Sequence, residues 1–346
     1  MAISQPPYSA VPGATAAVER IAGATTDIQY IIHQGFTRHN ATYWVGANAL
    51  IRKSALNDIV TVEMERGFPI YKYIQDRTVI EDTESTVDLI HRGWQLFNYP
   101  ERLSYSATPP DFGSLIIQRR RWANGGLIIL PKLLKYLSCR PLSGHKLMEG
   151  LMRFHYLTSL AIVNSGLLLL MSVSLADRLF NLWLPLSCLP YFILYACDLG
   201  QAGYRMSDVF RVYALNLMLI PVNLAGVMKS IHQGFTGKKI PFGRTPKIRG
   251  RTAIAPLYII FEYAILLHWT SGAVVELSSG FWVQGFFALM NASLLLFAVL
   301  KYMGIKESKE DLLMGLGKWR ENWKLPRQAA ALFIPEKACM AISKRD

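Results

Sequence analysis

The chain has 346 residues, 51% of them hydrophobic, and a formal charge of +13. Length alone allows two or three domains, but uncharged runs of about 20 residues exclude a purely water-soluble chain and mark an integral membrane protein. No recognition motif accompanies the basic charge, so it points to phosphate-bearing ligands and an anionic membrane face, not to nucleic acid.

Residues 16–34 place Ala17, Ile21, Ala24, Ile28 and Ile31 on one helical face, with Glu19, Arg20, Asp27 and Gln29 elsewhere and Gly35 as the stop. Thr42-Tyr43-Trp44-Val45 then reads as a short aromatic strand that breaks at Gly46. The apolar run Thr78-Val79-Ile80 leads into Glu81-Asp82 and a helical pattern over 83–92, stopped by Gly93. A carboxylate at such a junction caps the first helical turn or, within reach of a hydroxyl, serves as a general base. Both roles are open for Asp82, whereas Glu84 reads as a first-turn charge answering the helix dipole.

Gln118-Arg119-Arg120-Arg121-Trp122 sets three guanidinium groups beside an indole. Such a cluster needs an anionic partner or a solvated face, and a juxtamembrane site on lipid headgroups would also satisfy it. Gly125-Gly126 is expected to interrupt the chain, with 127–137 as an interfacial helix. Runs 156–175 and 179–197, joined by Ala176-Asp177-Arg178, form a first membrane hairpin. Runs 255–275 and 281–300 form a second, carrying Glu262 and His268 at membrane depth, where ionisable groups are functional candidates.

The run 212–228 is apolar enough for a further span, but that would put the basic loop 229–251 outside, against the positive-inside rule. It is therefore read as re-entrant or interfacial, broken at Pro221. Beyond 301, Leu312, Leu316, Trp319 and Trp323 share the face of an interfacial helix. Of the four cysteines, Cys139, Cys188, Cys197 and Cys339, the middle pair lies in an apolar run and reads as buried free thiols. Met1 is followed by Gln5-Pro6-Pro7, without the basic start and apolar core of a cleavable signal peptide.

Glu81-Asp82 and the Gln-x-x-Arg-Trp set at Gln118, Arg121 and Trp122, with membrane runs behind them, resemble the signature of processive family 2 glycosyltransferases, the cellulose synthase and hyaluronan synthase group. Trp44-Val45-Gly46-Ala47-Asn48 is similar to the family's acceptor-side loop, with Ala47 in place of the frequent hydroxyl residue. Phe242-Gly243-Arg244-Thr245-Pro246-Lys247 is similar to its gating loop, with Arg244 in place of an apolar residue. Ile80 stands where the family commonly has Thr.

The resemblance implies a GT-A-type α/β catalytic unit followed by an α-helical transmembrane domain. It divides the chain into an acceptor-side part of the catalytic domain (1–125), interfacial helices (126–155), a membrane region (156–303) with a re-entrant segment and basic gating loop (207–251), and a cytoplasmic tail (304–346). Asp82 would then be the base and Glu81 its support. Gly46, Asn48, Gln118, Arg121, Trp122, Thr245 and Lys247 would bind substrate. The implied donor is a nucleotide-diphospho-sugar and the acceptor a growing β-linked polysaccharide, carried across the plasma (inner) membrane from a cytoplasmic catalytic face.

The family also implies Mg2+ or Mn2+, held by an Asp-x-Asp motif that occurs nowhere in this sequence. The expectation is therefore a truncated or split synthase, inactive as the isolated chain, working with a separate donor-binding half or an export subunit. A non-catalytic membrane conduit or scaffold derived from such a synthase is the alternative.

Overall fold

The computed structural model describes residues 1–11, 14, 16–139, 141, 143–172, 183–238, 243, 245, 246 and 250–317. Its N-terminal part is a mixed α/β unit. Strand β1 (Ile3–Gln5) is central in a three-stranded sheet, antiparallel to β3 (Leu50–Ile51) and parallel to β6 (Leu96–Asn98). Just beyond, β2 (Tyr8–Ala10) pairs in parallel with β7 (Ser104–Ser106). Pro6 and Pro7, which have no N–H to give, separate the two ladders.

Helix α1 (Ala17–Thr37) crosses between these strands and runs through Gly35, past the expected stop. The Gly35 Cα faces open space, and a lone glycine costs a helix only about 1 kcal/mol. The stop comes at Asn40, whose φ of 54° lets the Ala41 amide return to the Phe36 carbonyl at 2.9 Å. A short helix, α2 (Lys53–Asp58), precedes the hairpin of β4 (Thr61–Glu65) and β5 (Phe68–Lys72), turned at Arg66-Gly67 with φ of 53° and 87°.

The segment 41–45 is not a strand. Side chains satisfy its amides instead: Trp44 N–H donates to Thr86 Oγ1 (3.0 Å), Val45 N–H to Gln5 Oε1 (2.8 Å) and Tyr43 N–H to His33 Nδ1 (3.4 Å). The run 78–80 is likewise irregular. Helix α3 (Glu81–His91) follows it, and Gly93 ends that helix with φ 85°.

Helix α4 (Phe112–Ser138) is the spine of the molecule, capped by Asp111, whose Oδ1 accepts from Ser114 N–H at 2.8 Å. Gly125-Gly126 does not interrupt it. The pair is needed for packing, because a methyl group at Gly125 would overlap Ile80 and one at Gly126 would overlap the Leu157 carbonyl. The helix thus runs unbroken across the division expected at 125/126. Its C-terminal half packs one face inward: Ile129, Leu133 and Tyr136 are buried with Ile3, Tyr43 and Ile90 in the α/β core. The N-terminal half gives Phe112, Leu115 and Ile116 to a second core among the later helices.

Those are α5 (Gly144–Ser172), α6 (Trp183–Gln201), α7 (Asp208–Met218), α8 (Ile220–Thr236), α9 (Pro256–Ser278) and α10 (Trp282–Ala298). A π-helical turn (Val299–Met303) and a helix over 305–317 close the described chain. Among the described residues, two helical stretches, Pro256–Ser278 and Trp282–Met303, are long and apolar enough to cross a membrane. Helices α7 and α8 meet at a 48° bend just before Pro221, and taken together they reach the same length and polarity. Of the first expected hairpin, the turn 176–178 lies outside the described residues, as do Trp319, Trp323 and Cys339.

The exposed face of α6 carries Leu189, Tyr191, Ile193 and Leu194. Cys188 and Cys197 are exposed there too, not buried as their apolar surroundings suggested. A membrane helix turns apolar side chains outward, so an apolar run does not say which of them are inside.

Candidate active site

A cavity of about 1310 Å³ opens where the α/β unit meets the later helices. Its walls come from α1, the 44–47 loop, the start of α3, the middle of α4, α5, and the α7–α8 bend. Two sequence motifs separated by 36 to 41 residues converge on it: Glu81 and Asp82 on one side, Gln118, Arg121 and Trp122 on the other. Gly46 and Thr245 also line it.

Asp82 lies in the first turn of α3, where Ile80 and not Asp82 is the N-cap residue. Its Oδ1 accepts from the Thr83 amide at 2.7 Å. Its Oδ2 faces Gly46, where an added Cβ would sit 3.6 Å away. Gly46 has φ of 94°, and Trp44 Nε1 donates to its carbonyl at 2.6 Å, so the indole holds this turn in place. Burial raises the Asp82 carboxyl to about 6, with the Glu81 charge adding to it and the Thr83 amide and Arg121 opposing it.

Glu84 is a first-turn charge of α3, as expected, but a buried and paired one. It is 1% exposed and bonds to Arg77 (2.9 Å) and Lys132 (3.2 Å), tying α3 to α4. Asn48 is not on the cavity: it is exposed, takes φ of 64°, and donates to the Pro6 carbonyl at 3.4 Å. Ala47 lines the cavity in its place. Thr245 is 9% exposed, and its Oγ1 has no partner among the described residues. Lys247 lies outside the described residues. Glu262 is fully buried in α9 and has no hydrogen-bond partner among the described residues, so no basic neighbour neutralises it there.

The structure adds residues that the motifs did not single out. Thr25, Gln29 and His33 form a polar stripe of α1 on the cavity wall, with Gln29 off the apolar face as the periodicity has it. Gln29 Nε2 donates to Tyr156 Oη at 3.2 Å, and the Tyr156 ring stacks on Tyr43 with centroids 4.7 Å apart. Burial, then the Arg153 charge, pulls the His33 imidazole down to about 3, so it is neutral at physiological pH. Asp27, off the apolar face by periodicity, is nonetheless buried and accepts from Tyr204 Oη at 2.8 Å.

The arrangement sets one raised carboxylate, guanidinium groups and an indole around a space large enough for a sugar. Residues 1–197 match the model of the family described as Glycosyl transferase family group 2, and the chain belongs to that family. No curated protein matches it. It is accordingly a transferase whose family works on a nucleotide-sugar donor and an acceptor, and its long apolar helices make it a membrane protein. Transferases of this family generally use a divalent metal. Among the described residues no group of three His, Cys, Asp or Glu side chains could hold one, so the residues present do not fit such a site.

Proposed function

We propose that the chain serves a processive hexosyltransferase that extends a β-linked polysaccharide and passes it across the membrane. The observation that carries this is the single cavity uniting Glu81-Asp82 with Gln118, Arg121 and Trp122. In this scheme the acceptor hydroxyl attacks the anomeric carbon of the donor and loses its proton to Asp82 Oδ2. The bond from that carbon to the diphosphate oxygen breaks, and the configuration inverts.

Glu81 keeps Asp82 basic by adding negative charge beside it. Arg121 faces the negative charge of the departing diphosphate, Gln118 holds acceptor hydroxyls, and Trp122 offers a flat face to the apolar C–H side of the acceptor ring. Thr245 and Lys247 close over the nucleotide, with the basic 229–251 loop on the cytoplasmic side of a plasma (inner) membrane. No step here runs through a metal.

The test uses native membranes carrying the chain, supplied with radiolabelled nucleotide-sugars. The expected product is an insoluble polymer that a β-specific glycan hydrolase degrades. Oligosaccharide binding without transfer from any nucleotide-sugar would leave a conduit, and the synthase assignment would be lost.

A further inference from the structure

Arg119 has no part in that scheme, yet it is fixed on two sides. Its guanidinium lies over the Trp122 indole, 4.4 Å from the ring centroid, one turn back along the same face of α4. A terminal NH donates to Thr25 Oγ1 on α1, and that hydroxyl donates onward to the Ala22 carbonyl at 2.7 Å. Thr25 is thereby oriented to accept from Arg119, and α1 is tied to α4 across the cavity wall.

The rest of the group is left wanting. Nε is buried with no hydrogen-bond partner among the described residues. Its electrostatic neighbours are the Tyr195 and Tyr8 phenols, not a carboxylate. Arg119 is half-buried on the cavity wall, and withdrawing a guanidinium even partly from water with no carboxylate beside it costs stability, so folding does not account for it. What its planar fork does uniquely is stack and hydrogen-bond at once, which an ammonium cannot do.

We propose that Arg119 is a positioning residue: stacked on one face of Trp122 and anchored to Thr25, it fixes the plane in which the indole receives the acceptor sugar. This deepens the scheme above and rests on the acceptor role given there to Trp122. The cation occupies one face of the ring, which leaves the opposite face for the sugar. Arg121, two residues on, is the guanidinium whose charge reaches Asp82. Both arginines line the cavity, and they divide the labour, Arg121 beside the reacting groups and Arg119 against the platform.

The experiment measures binding of two probes to the full chain, a β-1,4-linked glucose tetrasaccharide and uridine diphosphate. Arg119→Lys keeps the charge and loses the stacked plane. It is expected to weaken the tetrasaccharide about fivefold to tenfold and to leave the nucleotide within about twofold. In a Trp122→Ala background the same change should add nothing, because coupled residues are not additive. Thr25→Val, which removes only the anchor, should act in the same direction and covers the case of a poorly folding Arg119 variant.

Equal losses in both backgrounds, or a loss confined to the nucleotide, would overturn the proposal. Should the wild-type chain bind no tetrasaccharide, the polysaccharide scheme fails separately. Trp122 emission, taken as the difference from Trp122→Ala, then still decides. A change with Arg119→Lys upholds the stacking role, and unchanged emission refutes it.

Discussion

Asp82 holds its proton more tightly than an ordinary aspartate because its place in the cavity lining withdraws the carboxyl from bulk water. A carboxyl raised to about 6 in the fold binds protons more readily there than in the unfolded chain. Its contribution to stability is therefore present at low pH and lost as pH rises through about 6. Asp82→Asn removes the buried charge, yet its amide oxygen can still accept from Thr83. The variant should melt higher than the wild type above pH 7, and its melting temperature should lose the fall between about pH 4 and 6. Thermal unfolding across that range checks this, and an unchanged slope would place the strain elsewhere.

The chemistry-bearing residues were legible at this scale where a motif named them. Asp82, Arg121 and Trp122 all reach the cavity. Gln29, His33 and Tyr156 were not legible, nor was the part Arg119 plays within its basic run, because each gains its role from a partner on another element: Tyr43 for His33, Thr25 for Arg119, and each other for Gln29 and Tyr156. Asn48 shows the reverse. Its place in the loop suggested a sugar contact, but its left-handed backbone turns the amide toward Pro6.

Among the elements, α4 and α8 both line the cavity and pack closely at Gly226. A methyl group at Gly226 would lie 2.6 Å from Ala123 Cβ and 2.7 Å from the Arg120 carbonyl. Gly226→Val should therefore push α8 away from the arginine motif and cost about 1–3 kcal/mol, as overpacking does. The predicted outcome is a lower melting temperature together with weaker oligosaccharide binding. A variant that melts and binds as the wild type would show that the helices do not need this contact.

Periodicity found the helices well and the strands poorly. Helix α3 and its glycine stop stand where the pattern put them, and α1 overran its expected end by two residues past Gly35. The aromatic run at 42–45 looked like a strand but is held by Thr86, Gln5 and His33, a pairing of side chain with backbone that no alternation records. Gly125-Gly126 looked like a break and is a packing notch, because glycine in sequence does not say whether it frees the backbone or admits a neighbour.

At the level of the whole molecule, the cavity belongs to neither part alone. Asp82 comes from the α/β unit, Asn223 from the helix after the bend, and α4 carries Arg121 and Trp122 between them with one end in each core. A cavity so placed adjoins the bent helix pair α7–α8, which has membrane length and polarity when taken together. The most direct measurement is kcat/KM for polymer synthesis as a function of pH, for the wild type and Asp82→Asn in native membranes. The wild-type value should rise with pH through about 6. The variant should lose about 10²–10⁴-fold with no such inflection, while donor binding persists. Near-normal turnover by Asp82→Asn, with the inflection intact, would contradict the assignment of Asp82 as the base.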